Sequence, residues 1–174
     1  MNSKNTEIFN LNYLPKDSQL WTILLFALLV RLLFMWVYPD QHFPDAVAYR
    51  TIGEEIFAGK LITNNIYMPL YPIWSYITGQ GMIQLLMDIL LSVISVFLIF
   101  TLSMYIFKDR LSALLSAFVA SIYPHFLFYS VSGLTEVSYT FLLLLCFLSF
   151  HRKKFFLAII ISVLAILVRP TLDF

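Results

Sequence analysis

The stretch Met82–Phe107 reads MIQLLMDILLSVISVFLIFTLSMYIF and carries a single charge, Asp88. It exceeds the ~20 predominantly apolar residues that take a helix across a hydrocarbon core, and a helix lets such a run satisfy its own backbone there. Gly79-Gln80-Gly81 breaks the chain before it, and the turn Lys108-Asp109-Arg110 follows it. Further apolar runs flank it on both sides. The first covers 21–38 and closes on Trp36, Tyr38 and Pro39, an aromatic belt followed by a helix stop. The others cover 111–129, with Pro124 bending its far end, then 137–150 and 155–168. The predicted fold class is all-α: a polytopic membrane protein with about five transmembrane helices. It forms one membrane domain over 1–174, with 1–20 as a tail and 39–81 as an external loop.

Composition agrees with this reading. The chain is 60% hydrophobic and only 12% charged, against roughly 25% charged in an average soluble domain. A water-soluble fold could not cover so much apolar surface. A net charge of +1 excludes bulk attraction to nucleic acid. Cys146 is the only cysteine, so no intrachain disulfide forms. The polar N-terminus is too long, and the run after it too extended, for a cleaved signal peptide. The first apolar run is expected to remain as a signal anchor.

Charge in the short loops predicts the orientation. Lys108-Asp109-Arg110 and His151-Arg152-Lys153-Lys154 fall on the same side as the tail with Lys4 and Lys16. Between Pro39 and Gly81 the acids Asp40, Asp45, Glu54 and Glu55 outnumber Arg50 and Lys60. The positive-inside rule places the tail in the cytoplasm, and the acidic loop and the loop holding Glu136 outside. The expected location is a cell membrane, with the N-terminus cytoplasmic. The last run is about 14 residues, roughly 21 Å of helix, short of the ~30 Å core. With its abrupt RPTLDF ending, this reads as the N-terminal part of a longer protein or a natural truncation.

The external loop opens with FPDAVAYRTIGEEIFAG, Phe43–Gly59. Ala48, Ile52, Ile56 and Phe57 recur at helical spacing, Pro44 and Asp45 suit a first turn, and Gly59 suits the position after the last. This predicts an amphipathic helix lying along the membrane surface. Asp45 and Tyr49, four apart, share a face. Asp45 is either an ordinary first-turn acid, favoured by the helix dipole, or a carboxylate that takes a proton from an attacking hydroxyl. The loop continues as NNIYMPLYPIWSYITG, where Pro69 and Pro72 forbid a regular helix through Met68–Tyr71. Its aromatics, Tyr71 among them, suit the headgroup layer or a stacked sugar.

Other polar residues have two readings each. Glu136 is a first-turn helix acid, or a second acid facing the same cavity that orients an acceptor or holds a divalent ion. Arg50, Lys60 and Arg169 are the outer cations able to meet a substrate anion; each is otherwise a solvated or snorkelling charge. Arg31 and Asp88 lie inside spans at similar depth and are expected to form a structural ion pair. No His/Cys/Glu cluster has zinc-ligand spacing, and no metal-binding residue is assigned.

The order of elements matches a family pattern. LLVRLLF in the first span is followed by DAVAY, then YMPLYP, then two spans joined by a basic turn. YPHFLFYSVSGLTEVSYTFLLLL comes next, and LAILVRPT follows a second basic turn. This resembles the N-terminal half of GT-C membrane glycosyltransferases, the bacterial relatives of protein O-mannosyltransferases and lipid A aminoarabinose transferases. The resemblance implies an enzyme moving a sugar from a polyprenyl-phosphate donor to a lipid, glycan or protein acceptor on the outer face, with inversion. It assigns the base to Asp45 and leaves a divalent metal open as cofactor. Ala46 departs from the pattern where many relatives carry a second acid. The competing expectation is a non-enzymatic membrane protein, a transporter subunit or inactive relative, with Arg31 and Asp88 lining a path.

Overall fold

A computed structural model describes residues 18–38, 43–60, 67–79 and 81–169. The tail, with Lys4 and Lys16, and the last residues of RPTLDF lie outside these. Among the described residues the chain is all helix: α1 (Ser18–Val37), α2 (Pro44–Phe57), α3 (Leu70–Ile77), α4 (Met82–Phe107), α5 (Arg110–Ile122), α6 (Pro124–Tyr129), α7 (Glu136–His151) and α8 (Phe155–Val168). Two of them, α1 with 20 residues and α4 with 26, are long and apolar enough to cross a membrane. Helices α5, α7 and α8 are apolar but shorter.

The central helix is α4, which packs against α1, α5 and α7; α8 lies on α7, and the α2–α3 pair reaches the bundle where α3 meets α8. Small residues set the closest approach. Ala27 of α1 and Ala113 and Ala117 of α5 are fully buried against Val96 and Phe100 of α4. A four-residue spacing of small side chains lets helix backbones come together where dispersion, not the hydrophobic effect, drives association. The outer faces remain apolar. On α1, Trp21, Leu25, Leu29, Leu33 and Trp36 form an exposed stripe at helical spacing. A continuous exposed apolar surface of this kind is what a lipid or a further protein element covers.

The helix ends follow local chemistry. Asp109 caps α5, accepting from the Ser112 amide at 2.8 Å and its hydroxyl at 2.6 Å, which holds its carboxyl below the usual range. Helix α2 closes as expected at Gly59, whose φ of 68° permits the amides of Gly59 and Lys60 to reach back to Ile56 and Glu55. The 111–129 run is two helices. Tyr123 turns extended at ψ 121°, and Pro124 starts α6.

Two expectations are corrected. A second loop helix, α3, forms despite the prolines. Pro69 precedes it and Pro72 sits in its first turn, where backbone N–H groups have no intrahelical acceptor to lose. Arg31 and Asp88, both fully buried, have different partners instead of each other. Arg31 donates from Nε to Ser92 Oγ at 2.8 Å and from Nη1 to the carbonyls of Ala27 and Ser121 at 3.0 and 3.2 Å. Asp88 accepts from the Tyr71 hydroxyl at 3.4 Å. Arg31 meets α4 one turn further along than Asp88, at Ser92, so the two do not lie at the same height, and Asp88 pairs with Tyr71 of α3.

The basic turns share one end of the bundle. Arg110 donates to Gln19 at the start of α1 at 2.7 Å, and Arg152 donates to Tyr105 near the end of α4 at 3.2 Å. The N-termini of α2 and α7 and the C-terminus of α8 meet around a cleft lined by Asp45, Glu136 and Arg169.

Candidate functional site

Pro44 begins α2 and puts Asp45 in its first turn, exposed, with Tyr49 one turn later on the same face. Tyr67 completes the carboxylate's setting. Its hydroxyl donates to Asp45 Oδ1 at 2.9 Å, and that bond keeps the proton on the phenol, raising its pKa above the ordinary value. Tyr67 stands edge-on to Tyr49, with ring centroids 5.2 Å apart. Burial pushes the Tyr49 phenol up, with Thr135 opposing and the charges of Asp45 and Glu136 adding to the rise.

Across the cleft, Glu136 begins α7 and Arg169 follows the end of α8. The Arg169 guanidinium donates from Nη1 to Glu136 Oε1 at 2.6 Å. The Glu136 side chain is 19% exposed and that of Arg169 37%. The second oxygen, Glu136 Oε2, is buried without a hydrogen-bond partner among the described residues. Asp45, Tyr49, Tyr67, Met68, Thr135, Glu136 and Arg169 line a cavity of about 190 Å³. One accessible carboxylate, a second paired to a guanidinium, and aromatic edges thus share one space. Such a space can hold a small polar group, accept a proton at Asp45 and meet an anion at Arg169.

No family model, curated protein or solved structure matches this chain.

Of the residues singled out in the sequence, the cleft brings together Asp45, Tyr49, Glu136 and Arg169. It does not include Arg50, Lys60 or Tyr71. Arg50 pairs along its own helix with Glu54 at 3.2 Å, both largely exposed. Lys60 is exposed beyond the end of α2. Tyr71 is buried, 1% exposed, on Asp88 and Gln84. Tyr67 and Thr135 were missed. Tyr67 sits 22 residues from Asp45 with no helical phase linking them, so its only signal was the tyrosine of YMPLYP. Among the described residues no group of three His, Cys, Asp or Glu side chains is placed to hold a metal ion. No step is assigned to a divalent cation.

Proposed function

We propose that this chain is a membrane glycosyltransferase module of GT-C type. It transfers a sugar from a polyprenyl-phosphate donor to an acceptor hydroxyl of a lipid, glycan or protein on the extracytoplasmic face. The observation that carries the reading is the Asp45 carboxylate, fixed by Tyr67, in one cleft with the Glu136–Arg169 pair. The order of motifs from LLVRLLF to LAILVRP supports it independently. In this reading α1, α4, α5 with α6, α7 and α8 are the five spans of a bacterial inner-membrane protein. The shorter spans, such as α7 with 16 residues, cross with their flanking turns in the interface, since 16 residues rise roughly 24 Å.

The chemistry is a single displacement. The acceptor oxygen bonds to the anomeric carbon as its proton passes to Asp45. The bond from that carbon to the phosphate oxygen breaks, and the lipid phosphate departs with the electron pair. One displacement inverts the anomeric configuration. Tyr67 holds the carboxylate in place, and Arg169 offers N–H groups where charge develops on the phosphate. The tyrosines give the sugar faces and edges to pack on.

Transport through the spans is the weaker reading. It requires Arg31 and Asp88 on a solvent path, whereas both are fully buried in helix packing. Replacing Asp45 by Asn keeps the shape and removes the base. Transfer from a polyprenyl-phosphate sugar in isolated membranes is expected to fall by about 10²–10⁴-fold, with membrane insertion unchanged. Full activity of Asp45→Asn would sink the assignment.

A further inference from the structure

Asp88 is poorly explained by stability. A carboxylate inside an apolar helix is costly, and helix packing repays that cost only through good hydrogen bonds. Asp88 accepts one close hydrogen bond, from Tyr71 at 3.4 Å; its Oδ1 and the indole Nε1 of neighbouring Trp74 are both buried without a close partner among the described residues. What the residue does hold is Tyr71. The Tyr71 hydroxyl donates to Asp88 and accepts from Gln84 Nε2 at 3.2 Å, while Ser75 fixes Gln84 through Oε1 at 3.1 Å. Both capacities of the phenol are used, so its ring has one orientation.

That ring continues toward the cleft. Tyr71 meets Tyr49 edge-to-face at 4.9 Å and 78°, and Tyr49 meets Tyr67 at 5.2 Å and 79°. Tyr67 then donates to Asp45. Edge-to-face pairs have a preferred geometry, each contributing ~0.5–1.5 kcal/mol beyond area burial, so fixing the first ring constrains the next. We propose that Asp88 is a positioning residue for the cleft: it anchors Tyr71 and, through Tyr49 and Tyr67, sets the placement of the Asp45 carboxylate. The role rests on the reading of Asp45 as proton acceptor, but the anchor itself is measurable without transfer.

The test is 3-fluorotyrosine at position 67 in the full chain, reconstituted in nanodiscs and titrated by fluorine NMR. In the parent protein the fluorophenol titrates above free fluorotyrosine, and Asp45→Asn brings it down. Asp88→Ala and Tyr71→Phe are each expected to lower it by at least about half a unit, and Asp88→Asn, which keeps an acceptor, to restore the parent value. In the transfer assay Asp88→Ala lowers kcat roughly tenfold at an unchanged donor KM. If Asp88→Ala does not fold, Tyr71→Phe, which keeps the ring, decides the question. A Tyr67 titration unmoved by the folded variants overturns the anchor, whatever Asp45→Asn does to transfer. A transfer-competent Asp45→Asn with a moved fluorine titration removes the catalytic reading and leaves the anchor standing.

Discussion

Arg169 and Glu136 form a pair whose two halves have different surroundings. Glu136 lies mostly out of solvent with one oxygen unpartnered, while Arg169 is 37% exposed and turned to the cleft. A guanidinium with one N–H on a carboxylate still has planar donors for a phosphate, which a lysine ammonium cannot present in the same fork. Arg169→Ala is therefore expected to lower kcat by about 10²–10³-fold, the usual cost of one preorganised donor at a developing charge. Arg169→Lys should recover part of that loss. Removing the cation also strands a partly buried carboxylate, costing about 1–3 kcal/mol of stability. Glu136→Gln introduced into the Arg169→Ala chain should relieve the stability loss without restoring transfer. Thermal unfolding of the purified chain and a transfer assay separate the two effects, and unchanged kcat in Arg169→Ala removes the phosphate role. These two residues were legible as candidates because each stands at the outer end of an apolar run. Their contact was not legible, since 33 residues separate them and no local period links the ends of α7 and α8.

The α2–α3 unit shows how helix contacts position a side chain some distance away. Gly53 is buried where the helices cross; a Cβ built there would lie 2.6 Å from the Pro72 carbonyl oxygen and 3.0 Å from Tyr76 Cβ. The closer of these is backbone, so it cannot swing aside, and α2 must lift away from α3. Gly53→Ala should destabilise the protein by about 1–3 kcal/mol, although alanine is the better helix former. Because α2 carries Asp45 and the loop into α3 carries Tyr67, the bond between them should lengthen and transfer should fall as well. A Gly53→Ala chain with parent melting temperature and parent activity would show that the crossing is not a constraint. The sequence located α2 to within a residue at each end, because caps and period agree at Pro44 and Gly59. It failed at α3 for a physical reason: proline forbids a helix interior but is neutral in a first turn, and nothing local says where the turn begins. The predicted apolar face was also displaced. Tyr49, Ile52 and Gly53 are buried, while Phe57 remains half exposed and stacks on Tyr76 at 4.3 Å.

Over the whole molecule, charge and chemistry are sorted to opposite ends. The turns holding Lys108, Arg110, Arg152, Lys153 and Lys154 gather around the start of α1, tied by the Arg110–Gln19 and Arg152–Tyr105 bonds. The cleft with Asp45 and Glu136 lies at the other end of α4, α7 and α8. Helix order and the alternation of apolar runs made this sorting readable from the sequence, because antiparallel neighbours joined by short turns leave little choice. If the apolar stripe of α1 faces lipid, the basic end is retained on the cytoplasmic side and the cleft opens outside. The orientation can be read with a membrane-impermeant maleimide in a Cys146→Ser background. That background is mild, since the Cys146 thiol makes only a 3.1 Å contact with Ser162 and a longer one with the Ala158 carbonyl. Lys60→Cys, exposed at the cleft end, should be labelled on intact cells. Lys153→Cys, exposed at the basic end, should be labelled only after the membrane is opened. Labelling in the opposite order puts the cleft in the cytoplasm, where a nucleotide-sugar is the natural donor, and the polyprenyl-phosphate assignment falls. Labelling of both from outside refutes the spanning of α4, because α4 separates the two ends. The expected order leaves the donor on the face where lipid-linked sugars are presented, and makes the Asp45 transfer assay the decisive measurement.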